Sequence, residues 1–196
     1  MSGQANFSSF TLMRAVRAAA CRAAALVFPV APLLLIASGA SAQQVHTVGG
    51  VFADFSELQP AINAAQDGDV LLIVPGFFSS HATVTDKSLV IAALDPAGAR
   101  PTIGSLAIEE LSASRTVVLR GVDIFSLLQA ESLRITDCDG AVLIEDCHLL
   151  NFLSTLPPTV AHSPHVSFAR CTLTGASGGM VLPSGPALVI GVHFGP

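Results

Sequence analysis

The sequence predicts an all-β fold: a parallel solenoid of about five rungs, closed at its first end by a short α-helix. Three observations carry this. An apolar pattern recurs as Val117-Val-Leu-Arg-Gly-Val-Asp-Ile, Val142-Leu-Ile-Glu-Asp-Cys-His-Leu and Val166-Ser-Phe-Ala-Arg-Cys-Thr-Leu. Weaker copies begin at Leu89 and Leu188, so successive starts differ by 28, 25, 24 and 22 residues. A helix-strand unit, Asp54 to Phe78, precedes the first copy. Strand-like repeats at a period in the twenties, with no paired hairpin signals between them, must each stack on the last.

The chain opens with a segment that belongs to no rung. Arg14, Arg17 and Arg22 precede an apolar run from Ala23 to Ala37, and Ala40-Ser41-Ala42 supplies small residues at the spacing a signal peptidase reads. Residues 1–42 read as a secretory signal, with Met13 as an alternative start; the expected address is secreted or periplasmic. An uncleaved anchor is the other reading, but the run is of borderline length and Pro29 and Pro32 suit it badly. No stable membrane insertion is expected once the signal is removed.

Residues 43–69 read as an N-terminal segment and capping helix. Ser56 and Gln59 have the spacing of a capping box, which predicts a helix start at Ser56. Leu58, Ala61, Ile62 and Ala65 then form one apolar face, and Pro60 is tolerable in the first turn. Gly68 suits a left-handed C-terminal position. Val70 to Val74 is a continuous apolar run, the pattern of a strand buried on both sides or wound into a coil, and Pro75-Gly76 stops it.

Those residues carry a resemblance. The helix from Leu58 to Asp69, the strand and Pro-Gly-aromatic run from Val70 to Phe77, and Asp86-Lys-Ser-Leu-Val-Ile91 resemble the opening of pectin lyase-like proteins. The resemblance implies a right-handed parallel β-helix over roughly residues 45–196, with the helix plugging the first mouth of the coil. It implies no activity, because that architecture serves lyases, hydrolases, esterases, adhesins and binding proteins alike. The Asn-Thr-Asp, Asp-Asp and Gly-His-Gly of polygalacturonases, the Arg-x-Pro-x-x-Arg of pectate lyases and the pectinesterase signatures are all missing. No catalytic residue of the family carries over.

Residues 70–196 read as the coil, with a truncated coil as an alternative. Aligning the copies gives one inward column of Leu89, Val117, Val142, Val166 and Leu188, and a second of Ile91, Leu119, Ile144, Phe168 and Ile190. A third, after a bend, holds Leu94, Val122, Cys147, Cys171 and His193. Cys147 and Cys171 are therefore expected as core neighbours about 4.8 Å apart. A second face is predicted through Leu106-Ala-Ile, Leu133-Arg-Ile and Met180-Val-Leu.

Composition excludes some partners. All 14 acidic residues follow position 42 whereas three of the nine basic ones precede it, leaving six against 14 and a net charge of −8 after the signal, so nucleic acid is not expected. The chain has no Trp and no Tyr, so any platform for a sugar ring falls to a Phe. Once Cys21 leaves with the signal, Cys138, Cys147 and Cys171 remain, an odd number without Cys-x-x-Cys spacing; they read as small buried apolar residues rather than zinc ligands.

Asp137, Asp139, Glu145 and Asp146 are the candidates for acid/base chemistry or for binding calcium; no other cofactor is expected. The alignment also offers a structural role, since Arg120 falls in the column of Glu145 and Arg170 in that of Asp146, giving ion pairs between rungs. Asp137 and Asp139 flank Cys138 at a corner, where Asp is favoured by bonding to its own backbone. His162 and His165 lie in the irregular stretch Ser154 to Pro164, the expected place for a function-bearing insertion, without a nucleophile turn. Gly175-Ala-Ser-Gly-Gly179 lacks the setting of a nucleophile elbow.

The functional expectation is an exported, non-catalytic module binding a polysaccharide or a cell-surface protein. The alternatives are a polysaccharide lyase or hydrolase using the four acids, and a truncated product without independent function. The end at Phe194-Gly-Pro196 carries no capping helix, so self-association through the last rung is a further expectation.

Overall fold

The computed structural model describes residues 42–125, 131–151, 158–175, 188–190 and 193–194. The expectations for the signal, for Met180-Val-Leu, for Ala176 to Gly179 and for Gly195-Pro196 lie outside these residues. All the described residues belong to one compact unit, Ala40–Pro196.

In chain order the strands are β1 (Val45–Val48), β2 (Asp69–Ile73), β3 (Phe77–Thr85), β4 (Leu89–Ala93), β5 (Thr102–Glu109), β6 (Thr116–Arg120), β7 (Asp123–Phe125) and β8 (Leu133–Thr136). They continue as β9 (Ala141–Glu145), β10 (His148–Asn151), β11 (Thr159–Ala161), β12 (Val166–Ala169), β13 (Thr172–Gly175), β14 (Leu188–Ile190) and β15 (His193–Phe194). The helix α1 (Leu58–Ala64) lies between β1 and β2. Every strand pairing is parallel, and the whole is a β-solenoid of about five turns. Among the described residues no helix is long and apolar enough to cross a membrane.

One sheet runs β1-β2-β4-β6-β9-β12-β14 and the other β11-β8-β5-β7-β10-β13-β15, with β3 beside β5. The second sheet folds over at β5. Thr102 and Ile103 pair with β7, whereas Leu106 to Glu109 pair with β8. Each turn thus presents up to three faces. β3 follows the same bend through a bulge, two residues (Ser79, Ser80) standing opposite Gly104. A Cβ on Gly104 would lie 2.9 Å from the Ser79 carbonyl oxygen, so only glycine admits this approach.

Period-2 side chains fill the coil. Asp69, Leu71 and Ile73 of β2 point inward, as do Leu89, Ile91 and Ala93 of β4. The inward columns Leu89-Val117-Val142-Val166 and Ile91-Leu119-Ile144-Phe168 form in the expected register. The last rung does not, because Leu188 lies beside Ser167 and Val189 beside Phe168, one residue out of step; His193 likewise pairs with Thr172 rather than Cys171. Leu94 is also displaced: it is 45% exposed, and after the loop 95–100 the buried Pro101 stands opposite Val122, its carbonyl accepting the Asp123 N–H.

The corners explain the recurring Asp-Cys and Arg-Cys pairs. Gly121, Asp146 and Arg170 stack at one corner with φ of 69°, 53° and 54°. Asp86, Glu110, Asp137 and His162 stack at another, with φ of 43°, 55°, 56° and 49°. A left-handed residue there turns its N–H to the next rung, as in Asp146 to Ala169 O (3.0 Å) and Asp137 to Ala161 O (3.2 Å). Except at Lys87, which follows Asp86, the next side chain then points inward, so Leu111, Val122, Cys138, Cys147, Ser163 and Cys171 are buried.

The helix begins later than Ser56. Glu57 is its N-cap, no side chain caps it, and the capping box does not form. Gln59 is drawn elsewhere: its Oε1 accepts the Thr83 N–H at 2.6 Å and its Nε2 donates to the Thr83 carbonyl at 3.2 Å, fastening the helix to β3. Leu58, Ala61, Ile62 and Ala65 are buried, as their spacing requires. Lys87 Nζ donates to the carbonyls of Ile62, Asn63 and Ala65 at 2.8, 3.0 and 2.8 Å, placing a cation on the orphan acceptors of the helix end. Gly68 is left-handed (φ 88°) but sits past that end.

The coil begins before the helix, since β1 already pairs with β2. Its outer edge is covered by the chain itself. Asp54 Oδ2 accepts the Thr47 N–H at 2.7 Å, and the Phe55 N–H reaches Thr47 O at 3.1 Å. Edge groups that would otherwise recruit another strand are thus occupied.

Candidate functional site

The four acids do not meet. Asp137 and Asp139 lie before β9, Glu145 ends it and Asp146 follows it, so the two pairs are separated by a strand spanning about 13 Å. Glu145 is 3.0 Å from Arg120 on the preceding rung and 4.0 Å from Arg170 on the next. Asp146 takes two hydrogen bonds from Arg170, which hold its carboxyl below the ordinary carboxylate range. Asp137 faces His162 across 3.3 Å, both exposed, and Asp139 is exposed. Among the described residues no three His, Cys, Asp or Glu side chains are arranged to hold a metal ion.

The expected ion pairs between rungs are therefore present. Of the stretch Ser154 to Pro164, expected to be irregular, residues 154–157 lie outside the described residues and the remainder is partly regular. Pro158 is buried, and Thr159 to Ala161 form β11, extending the face of Leu106 and Leu133. Val160 supplies the inward side chain beside Ile135.

Two polar groupings escaped sequence inspection. On the outer side of β7 and β10, His148 Nδ1 lies 3.2 Å from Asp123 Oδ1 and Arg100 lies 3.9 Å from the same oxygen; Arg100 also donates to the Asp146 carbonyl. The repeat alignment does put Asp123 and His148 in one column, which was the available signal. On β3 and β5, His81 Nδ1 is 2.7 Å from Ser105 Oγ and its Nε2 is 3.2 Å from Thr83 Oγ1. The second imidazole nitrogen thus meets a hydroxyl, not the carboxylate that orients the base of a serine nucleophile.

One concave feature among the described residues is apolar. Gly49 and Gly50, at φ of 88° and 80°, turn the chain after β1 so that Val51 and Phe52 stand over the outer surface of the first sheet. Between them and Thr47, Val74 and Leu94 lies a groove of about 280 Å³. Phe52 is 99% exposed, Val51 91% and Leu94 45%, which leaves an aromatic ring and two aliphatic side chains to water at one place. Leu94 reaches the groove because it left the core column, so the displacement that defeated the alignment builds this surface. Comparison with protein-family models, with curated proteins and with solved structures finds no match for the chain.

Proposed function

We propose that the chain is an exported, non-catalytic module of the right-handed parallel β-helix type, resembling pectin lyase-like proteins in architecture. Its partner is a cell-surface protein, held by an apolar side chain in the groove beneath Phe52. The observation that carries this is the exposure of Phe52, Val51 and Leu94 around one groove whose floor offers a hydroxyl only at Thr47. A sugar ring would ask for more hydrogen-bonding groups around the aromatic ring than the groove supplies. Export is supported by Arg14, Arg17 and Arg22 ahead of the run Ala23 to Ala37 and by Ala40-Ser41-Ala42.

Peptides selected from a displayed library against the full chain should carry an aromatic or branched aliphatic anchor. Phe52→Ser should abolish their binding and leave the melting temperature unchanged, because the ring contributes almost nothing to the fold. Binding on a glycan array that survives Phe52→Ser would instead assign a polysaccharide ligand to another surface. Depolymerisation of acidic polysaccharides in the presence of calcium, lost in Asp139→Ala, would make the chain an enzyme.

A further inference from the structure

We infer that Cys147 and Cys171 close a disulfide between neighbouring rungs while the chain folds in an oxidising compartment, with Cys138 as the thiol left over. The compartment rests on the export proposed above; the choice of partners rests on the register alone.

His148 and Thr172 are Cα partners, and the Thr172 N–H donates to the Cys147 carbonyl at 2.9 Å. The cysteines one residue earlier therefore stack, both inward, at 0% and 1% exposure. Stacked positions on adjacent parallel strands are about 4.8 Å apart at Cα, inside the roughly 4.4–6.8 Å that a disulfide spans. Cys171 Sγ already leans back one rung, 3.4 Å from the Ile144 carbonyl, towards Cys147. Rotation of Cys147 away from its contacts with Glu145 O (3.2 Å) and Leu119 O (3.7 Å) completes the approach.

Cys138 has no such neighbour. It belongs to the other corner, where Leu111 precedes it and Ser163 follows it on adjacent rungs, and its N–H donates to Ser163 Oγ at 3.1 Å.

The oxidant is a disulfide, supplied by a thiol–disulfide exchange catalyst or a small molecule such as oxidised glutathione. One cysteine thiolate attacks it to form a mixed disulfide, and the second displaces the remaining thiol. Two protons and two electrons leave the chain, and the oxidant departs as two thiols. The bond must form once the two rungs have paired but before the core closes over the sulfurs. In the finished coil both sulfurs are sealed from the reagent, and burial pushes the Cys147 thiol up to about 12, leaving almost no thiolate.

The full chain, unfolded under reduction and refolded in a glutathione redox buffer, is alkylated, digested without reduction and analysed by mass spectrometry. In the digest the Cys147 and Cys171 peptides are expected as one linked species, about 2 Da lighter than the sum of the two reduced peptides, with Cys21 and Cys138 alkylated. The same buffer applied to the folded, reduced chain should leave the pair unlinked over that time, and Cys138→Ala should not prevent the link on refolding. The linked form should unfold several degrees above the reduced form. A dominant bond involving Cys138, alkylation of both Cys147 and Cys171 after refolding, or a linked form that unfolds no higher than the reduced one would each overturn the inference. Mapping the N-terminus of the exported product tests export separately, since glutathione in vitro needs no signal.

Discussion

Arg170 grips Asp146 from the next rung at two points, Nε to Oδ1 at 2.7 Å and Nη2 to Oδ2 at 2.9 Å. Both residues stand in the left-handed region at one corner of the coil, so the backbone that makes the turn also aims the two side chains at each other. Arg170 is largely open to solvent and Asp146 partly so, and the pair adds little to stability.

Its signature is the titration of Asp146. By carboxyl-detected NMR that residue should titrate below its ordinary value of 3.8, and Arg170→Ala should move it back towards that value. An unmoved titration would remove Arg170 as the cause.

Asp69 is the buried carboxylate, 1% exposed at the start of β2. Burial alone would raise it; the Gln66 and Gln44 N–H groups at 2.7 and 2.8 Å, together with His46, outweigh burial and lower it below 3.8. A lowered folded value means that the stabilisation is complete above the unfolded value and is lost as pH falls through the folded one. Asp69→Asn should cost about 1–3 kcal/mol at neutral pH, since the two N–H groups lose an ionised acceptor. It should also flatten the acid limb below about pH 4, which urea unfolding at neutral and acid pH would show.

Cys147 tests the core register under reducing conditions. Cys147→Asp places an ionisable group in a sealed apolar column and should cost about 3–5 kcal/mol, read as a large fall in melting temperature. An unchanged melting temperature would mean that this side chain does not point inward.

Gly140 tests how closely the rungs approach at the Cys138 corner. A Cβ there would lie 2.5 Å from the Arg115 carbonyl oxygen and 2.6 Å from that of Ser112, both backbone atoms. Gly140→Ala should therefore destabilise the coil by about 1–3 kcal/mol in urea. A neutral effect would show that the corner can open.

Much of the fold was legible because a solenoid repeats one local problem. Leu89, Val117, Val142 and Val166 must each be inward and apolar, so the period survives in the letters and discloses both the strands and their register. The same alignment disclosed the Arg120–Glu145 and Arg170–Asp146 contacts, since residues in one column lie one rung apart. Leu188 misled because a single-residue slip in a sheet exchanges neighbouring columns while apolar residues at 188, 189 and 190 fit either choice. The groove was not legible, because Phe52 and Leu94 come from non-repeating loops whose meeting place depends on where the rungs put their ends.

The sequence by itself determined a stacked parallel coil, the apolar face of its helix and the neighbourhood of Cys147 and Cys171, all consequences of periodicity. Tertiary structure alone decided that Gln59 serves β3 rather than the helix start, and that Leu94 yields its column to Pro101. Periodicity constrains which residues stack, whereas these outcomes turn on competition for a hydrogen-bond partner or a place in the core between segments far apart in the chain, and that competition leaves no local pattern to read.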